Sequence, residues 1–247
     1  MINAVVLAGR PNQGALSHEK ASCEALIDIA GKPMVSWVID ALVRAGSIDQ
    51  VAVVAPADAR RVVEASGALW VEAGDALSEN VRLGAASLPR DQAILMVSGD
   101  IPLLKEPMVE DFIRRAEFTE AEIVYPIIEK NLCEQKYPFV RRTYVGLKEG
   151  IYTGGNLIYL RPGALVYALR LLQKAYEARK KPWRLAAMLG WRFLLKLLMH
   201  NARLEEVEQK ASEILGIRAK AVVVPYPEIG IDIDKQDDLR LARSALQ

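Results

Sequence analysis

Short apolar runs and stretches of helical period alternate along the first half of this chain. Ala4–Ala8 (AVVLA) is an apolar run rich in Val, the pattern of a parallel strand buried on both faces. Gly9–Ser22 follows as a polar loop with Pro11, Asn12 and Gly14. Met34–Ala45 repeats apolar residues at Val35, Val38, Ile39 and Leu42, the spacing of an amphipathic helix, and Gly46 suits its end. Gln50–Ala55 predicts a strand, Ala57–Ser66 a short helix, Ala68–Val71 a strand and Leu77–Ser87 a helix. Ala93–Ser98 predicts another strand, and Pro107–Ala116 a helix. This alternation predicts an α/β fold: a doubly wound, mostly parallel sheet flanked by helices.

The pattern then changes. Glu122–Ile128, Val140–Val145 and Thr153–Leu160 predict strands, the last behind a Gly-Gly turn. Residues 163–216 are almost wholly helical in pattern, Val222–Pro225 returns to strand, and Lys235–Leu246 is the last helix. No internal repeat is present. The expectation is a single domain, 1–247, with a helical insertion at about 163–216.

Composition narrows the function classes. Lys and Arg number 32 against 31 Asp and Glu, a balance that gives no general case for nucleic-acid binding. Cys23 and Cys133 are far apart and lack metal-ligand spacing, so the expectation is two free thiols in a reducing, cytoplasmic setting. The apolar Met1–Ala8 is too short for a signal sequence, and no uncharged run reaches membrane-span length.

Three loci carry candidate chemistry. Leu7, Ala8, Gly9, Arg10 and Gly14 form a strand-to-loop turn whose glycines permit close backbone approach to a phosphate, with Arg10 and Lys20 to neutralise it. Asp100, after Gly99, ends a strand; there it either holds Mg²⁺ or caps a turn. Asp232 and Asp234 share one face of an extended segment, where two like charges favour a cation, or they form a solvated acidic turn. Asp237 and Asp238 suit the first turn of the last helix. Gly155 and Asn156, in the Gly-Gly-Asn turn, either face an acceptor or simply enter a strand. His18 and His200 have no partner at catalytic or metal spacing.

The chain resembles the nucleotidyltransferase superfamily with the nucleotide-diphospho-sugar transferase fold, most of all its molybdenum-cofactor guanylyltransferase-like branch. AVVLAG at Ala4–Gly9, ALIDIAGKPM at Ala25–Met34, SGDIPLL at Ser98–Leu104 and GIDIDKQDDL at Gly230–Leu239 carry the resemblance, in that order. It implies a nucleoside triphosphate on the first glycine loop, Mg²⁺ on Asp100 and Asp232, and Asn80 near the base. An acceptor phosphate or hydroxyl would attack the α-phosphorus and pyrophosphate would leave. Lys32 matches the family's Gly-Lys-Pro and Lys20 offers a second catalytic cation. Gly155, Asn156 and Asp234 fall on the side of a phosphorylated small-molecule acceptor. Two departures stand out. Glu24 occupies the family's lysine position, and Gly14-Ala15-Leu16 stands where an arginine is expected. A nucleotide-binding module with degraded chemistry is therefore one alternative. A glycosyltransferase of the same fold is another, although it would want an acid two residues before Asp100, where Ser98 stands.

The insertion includes Arg179–His200 (RKKPWRLAAMLGWRFLLKLLMH), basic at its start and then strongly apolar. Packing on a neighbouring helix or in a homodimer is the favoured expectation. Contact with a membrane surface through 179–200, or cover for a bulky apolar substrate, is the alternative.

Overall fold

The computed structural model describes residues 1–170, 172 and 189–247. Its centre is a nine-stranded mixed sheet. β1 (Ile2–Leu7) lies between β4 (Ile48–Ala55) and β6 (Ile94–Ser98), parallel to both, and β5 (Leu69–Glu72) extends the parallel half beyond β4. Beyond β6 the direction reverses. β10 (Leu157–Leu160) runs antiparallel to β6 and to β7 (Ile123–Glu129), and β9 (Ile151–Gly154) and β8 (Val145–Gly146) continue antiparallel to the edge. β11 (Ala219–Val223) pairs parallel to β7, so the chain rejoins the same sheet near its C-terminal end. A two-stranded ribbon, β2 (Asp28–Ile29) and β3 (Lys32–Pro33), stands apart.

The expected α/β class is what forms, and the reason is visible along β1. Ala4, Val5 and Val6 are all fully buried, because helices cover both faces of the strand. Ala4 and Val6 join the core under α1 (Met34–Arg44), α2 (Arg60–Ala65) and α4 (Glu106–Phe118). Val5 points the other way, to Val81 and Ala85 of α3 (Leu77–Ala86). A third cluster joins Ile27, Ile29, Ile231 and Ile233 to Leu239 and Ala242 of the last helix, α8 (Gln236–Leu246), which ties the two chain ends together.

Two expected strands are corrected. Val140–Val145 pairs only at Val145; α5 (Lys130–Lys136) is followed by a loop through 137–144. Thr153–Leu160 is two strands rather than one, because the chain leaves β7's edge at Gly155 and enters between β6 and β7 as β10. Within the expected insertion, 165–170, α6 (Trp191–Leu198) and α7 (Leu204–Leu215) are helical. Residues 171 and 173–188 of that expectation lie outside the described residues. No described helix is long and apolar enough to cross a membrane.

Candidate active site

Strand order reverses at β1 and β6, since β4 lies on one side of β1 and β6 on the other. In open α/β sheets ligands bind at such a switch point, at the carboxyl ends of the strands. Leu7-Ala8-Gly9 leaves β1 there, and Ser98-Gly99-Asp100 leaves β6. The two ends press together: the Gly99 amide donates to the Leu7 carbonyl at 2.9 Å. A Cβ on residue 99 would fall 2.8 Å from the Ala8 Cβ, so no larger residue fits without moving β1.

Two clefts meet at this point. One, of about 570 Å³, is lined by Leu7, Gly9, Arg10, Asn80, Ser98 and Asp100, among others. The other, of about 840 Å³, includes Arg141, Arg142, Thr153, Asp232, Asp234 and Lys235. Tyr125, Gly155 and Asn156 line both and form the shared wall. The β9–β10 break builds that wall. The Gly155 amide donates to the Pro126 carbonyl, and the Tyr125 hydroxyl donates to the Gly155 carbonyl at 2.7 Å. The Asn156 amide donates to the Ile229 carbonyl, while the buried Asn156 side-chain Nδ2 has no protein partner.

Acids gather at the seam. The Ile233 amide donates to the Asp100 carbonyl at 2.9 Å, which brings the C-terminal acidic segment against the end of β6. Glu24 is buried and its Oε2 accepts no hydrogen bond. Two guanidiniums answer these acids. Arg10 Nη1 lies 2.7 Å from Asp234, 3.5 Å from Glu24 and 3.9 Å from Asp100. Arg142 donates to Asp232 at 3.0 Å, to the Gly154 carbonyl at 3.1 Å and to Thr153 at 3.3 Å. The Ser98 hydroxyl donates to Asp100 at 2.5 Å.

The cations do not fully compensate. Burial pushes the Glu24 carboxyl above its usual range, with the Asp100 and Asp234 charges adding to it and Arg10 opposing. Burial likewise raises Asp100, and the charge of Asp232 adds to it. Asp232 is raised by burial against the pull of Arg142. Arg10 is held more firmly protonated, chiefly by its bond to Asp234. A surplus of hard carboxylate oxygens, destabilised by their own crowding, is a donor set that suits Mg²⁺. No group of three or more His, Cys, Asp or Glu side chains among the described residues forms a complete metal site. Mg²⁺ needs none, since it is commonly held by one or two carboxylates together with phosphates and water.

The structure therefore brings together Leu7, Ala8, Gly9, Arg10, Asn80, Gly99, Asp100, Gly155, Asn156, Asp232 and Asp234. Ala8 lines a small recess with Glu24, Arg10 and Asp100. Asn80 is buried, and its Oδ1 accepts from the Gly74 amide at 2.7 Å beside Gly9. Three expected residues stand apart. Gly14 and Lys20 are exposed and line neither cleft. Lys32 pairs with Asp40 and lies 4.8 Å from the Trp37 ring centre, on the α1 side. Arg142 and Tyr125 were missed. Arg142 sits in a segment whose apolar and aromatic residues predict strand, and nothing local marks it as a partner of a residue 90 positions away.

Residues 4–209 match a family model described as the MobA-like NTP transferase domain. The chain belongs to this family. Among curated relatives it is 32% identical over 98 residues to the 2-C-methyl-D-erythritol 4-phosphate cytidylyltransferase of Prochlorococcus marinus, covering 37% of this chain and 43% of that protein. It is 34% identical over 97 residues to the 3-deoxy-manno-octulosonate cytidylyltransferase of an Anaeromyxobacter species, covering 37% of this chain and 39% of that protein. The chain thus matches less than half the length of each of these relatives. Among solved structures, a hypothetical transferase from Thermus thermophilus superposes with a TM-score of 0.85 at 36% identity, over 97% of this chain and 100% of that one. The CMP:2-keto-3-deoxy-manno-octonic acid synthetase complexed with CTP shares the fold, with a TM-score of 0.61 at 15% identity over 99% of this chain and 98% of that one.

Proposed function

We propose that this protein is a nucleotidyltransferase that moves a nucleoside monophosphate from a nucleoside triphosphate to a phosphorylated small molecule, releasing pyrophosphate. The observation that carries this reading is the pair of clefts with a common wall and carboxylates at their seam. A donor in the Gly9–Asn80 cleft and an acceptor in the Arg142–Thr153 cleft would meet beside Asp100 and Asp232. Holding two reactants in contact supplies much of the rate in such reactions.

Asp100 and Asp232 are the residues to hold Mg²⁺, which when bound neutralises phosphate charge and polarises the phosphoryl oxygens. The chain's own residues do the rest. Arg10 is engaged by Asp234, Glu24 and Asp100, so it is released to the donor phosphates only when those acids are neutralised. Arg142 fixes Asp232 to the end of β9 and, with Arg141 and Lys235, gives the acceptor cleft cations for a phosphate. Asn80, its carbonyl fixed by Gly74, leaves its amide to define the base side of the donor cleft.

The curated relatives above are named cytidylyltransferases, which places CTP first among donors to try. One observation favours a rival: Glu24 adds a buried carboxylate where the family carries a lysine, as expected of a module that binds nucleotide without transferring it. The glycosyltransferase alternative loses its support, because Ser98 donates to Asp100 rather than supplying a second acid. The test is pyrophosphate release from each of the four common triphosphates, with Mg²⁺ and a panel of sugar and polyol phosphates. Acceptor-dependent release is the expected result. Tight nucleotide binding without release under every combination would favour the rival.

A further inference from the structure

The turn Gly154-Gly155-Asn156 lies between the carboxylates at the seam and is joined to both. On one side the Gly154 carbonyl accepts from Arg142 at 3.1 Å, and the same guanidinium holds Asp232 at 3.0 Å. On the other side the Asn156 carbonyl accepts from the Ser98 amide at 3.1 Å, and the Ser98 hydroxyl holds Asp100 at 2.5 Å. Asp232 and Asp100 are thus tied to two carbonyls that stand two residues apart in the chain. Their separation follows the conformation of this turn.

The carbonyl between those two belongs to Gly155, and the Tyr125 hydroxyl donates to it at 2.7 Å. Gly155 lies between β9 and β10, outside every strand ladder, so no backbone amide among the described residues bonds its carbonyl. Tyr125 is the side chain that fixes it. Its own position is set by β7, to which the Gly155 amide also returns at the Pro126 carbonyl. The fit is close: a Cβ on residue 154 would strike the Tyr125 hydroxyl, and one on residue 155 would fall 2.9 Å from Pro126 Cγ.

We propose that Tyr125 is a positioning residue. Its hydroxyl, acting through the Gly155 carbonyl, sets the separation of Asp100 and Asp232 and so the strength with which that pair holds a divalent cation. The inference rests on the reading of these two carboxylates as the metal ligands. Groups that orient a metal's ligands without touching the metal commonly govern affinity by tenfold or more.

Mn²⁺ is the probe, titrated into the full chain with each of the four common triphosphates. Enhancement of water-proton relaxation separates Mn²⁺ on the protein from Mn²⁺ on free nucleotide. Tyr125→Phe keeps the ring and loses only the hydrogen bond. It should bind Mn²⁺ about tenfold more weakly than the parent, with unchanged circular dichroism. The Mg²⁺ needed for half-maximal transfer should rise by the same factor. Tyr159→Phe is the comparison, a buried tyrosine on the neighbouring β10, and should bind Mn²⁺ as the parent does. Parent-like affinity in Tyr125→Phe would overturn the proposal. An equal loss in Tyr159→Phe would also overturn it, since any loosening of the sheet would then suffice. Weakened Mn²⁺ binding in Tyr125→Phe alone, with no transfer by the parent, would keep the proposal and remove the transfer reading. A parent that binds Mn²⁺ with none of the triphosphates, or Asp100→Asn that binds it undiminished, would bring down the metal reading and the proposal with it.

Discussion

At the scale of single residues, the site is built at a cost in stability. Glu24 shows this most clearly: it is buried, one oxygen lacks a hydrogen bond, and burial raises its pKa. The folded state therefore holds that proton more tightly than the unfolded chain. Stability on its account is highest in acid and falls as pH rises from about 4.3 through the raised folded value. Glu24→Gln removes this slope. The variant should melt above the parent at pH 7, and the gap should close near pH 4. Calorimetry at both values checks it; a variant less stable at pH 7 would mean that the Arg10 contact outweighs burial. Asp100→Asn and Asp232→Asn are expected to lower transfer roughly a thousandfold while the far-ultraviolet dichroism is unchanged, since each removes one hard ligand. If either variant kept its rate under saturating Mg²⁺, that carboxylate would not be a ligand.

Among the elements, the 137–144 loop and the β9–β10 break carry most of the proposed acceptor cleft. Glu228 anchors the loop: it is buried, accepts from the Tyr137 hydroxyl at 2.8 Å and pairs with Lys136. Arg142 then reaches three acceptors at once. Arg142→Ala should cost about 1–3 kcal/mol of stability by stranding Asp232 and the Gly154 carbonyl, and should raise the acceptor KM more than the donor KM. Arg142→Lys should not restore it, because one ammonium cannot reproduce the forked contacts. Unchanged acceptor kinetics in both variants would exclude Arg142 from the acceptor side. Beside the Gly9–Asn80 cleft, the proposed donor side, α3 lies flush on the sheet at Gly84. A Cβ there would fall 2.4 Å from Val5 Cγ1 and 2.8 Å from Val54 Cγ2. Gly84→Ala should therefore cost about 1–3 kcal/mol in urea unfolding despite the better helix propensity of Ala. A neutral result would show that the helix can lift without loss.

Over the whole molecule, the proposed function rests on the two chain ends meeting. The cluster that includes Ile27, Ile231, Ile233 and Leu239 fastens the C-terminal acids to the N-terminal loop. Ligands that bridge this junction should stabilise the entire fold. The correct triphosphate with Mg²⁺ at about a hundred times its Kd should add about 2.7 kcal/mol to unfolding. Thermal shift should show the increase in the parent chain and little in Asp100→Asn. Equal shifts in the two would place the nucleotide elsewhere.

The local pattern of this chain was enough to establish its parallel core. β1, β4 and β6 are apolar runs because both faces are covered, and such runs are legible without knowledge of what covers them. The Gly9, Asp100 and Asp232 motifs were legible for a similar reason: each is a short backbone feature at a strand end. What surrounds them was not. Arg142 meets Asp232 across 90 positions and Arg10 meets Asp234 across 224, and no local period encodes such pairs. Lys32 satisfied a motif, yet its four-carbon stem follows the nearer carboxylate of Asp40, a choice made by side-chain reach in three dimensions. The β9–β10 break had the composition of one strand, since the register that splits it comes from competition between β6 and β7 for partners. Likewise the sequence shows that Trp191 and Leu198 are apolar, but only the packing of Phe193 and Leu197 shows that the other face of α6 is left to the outside.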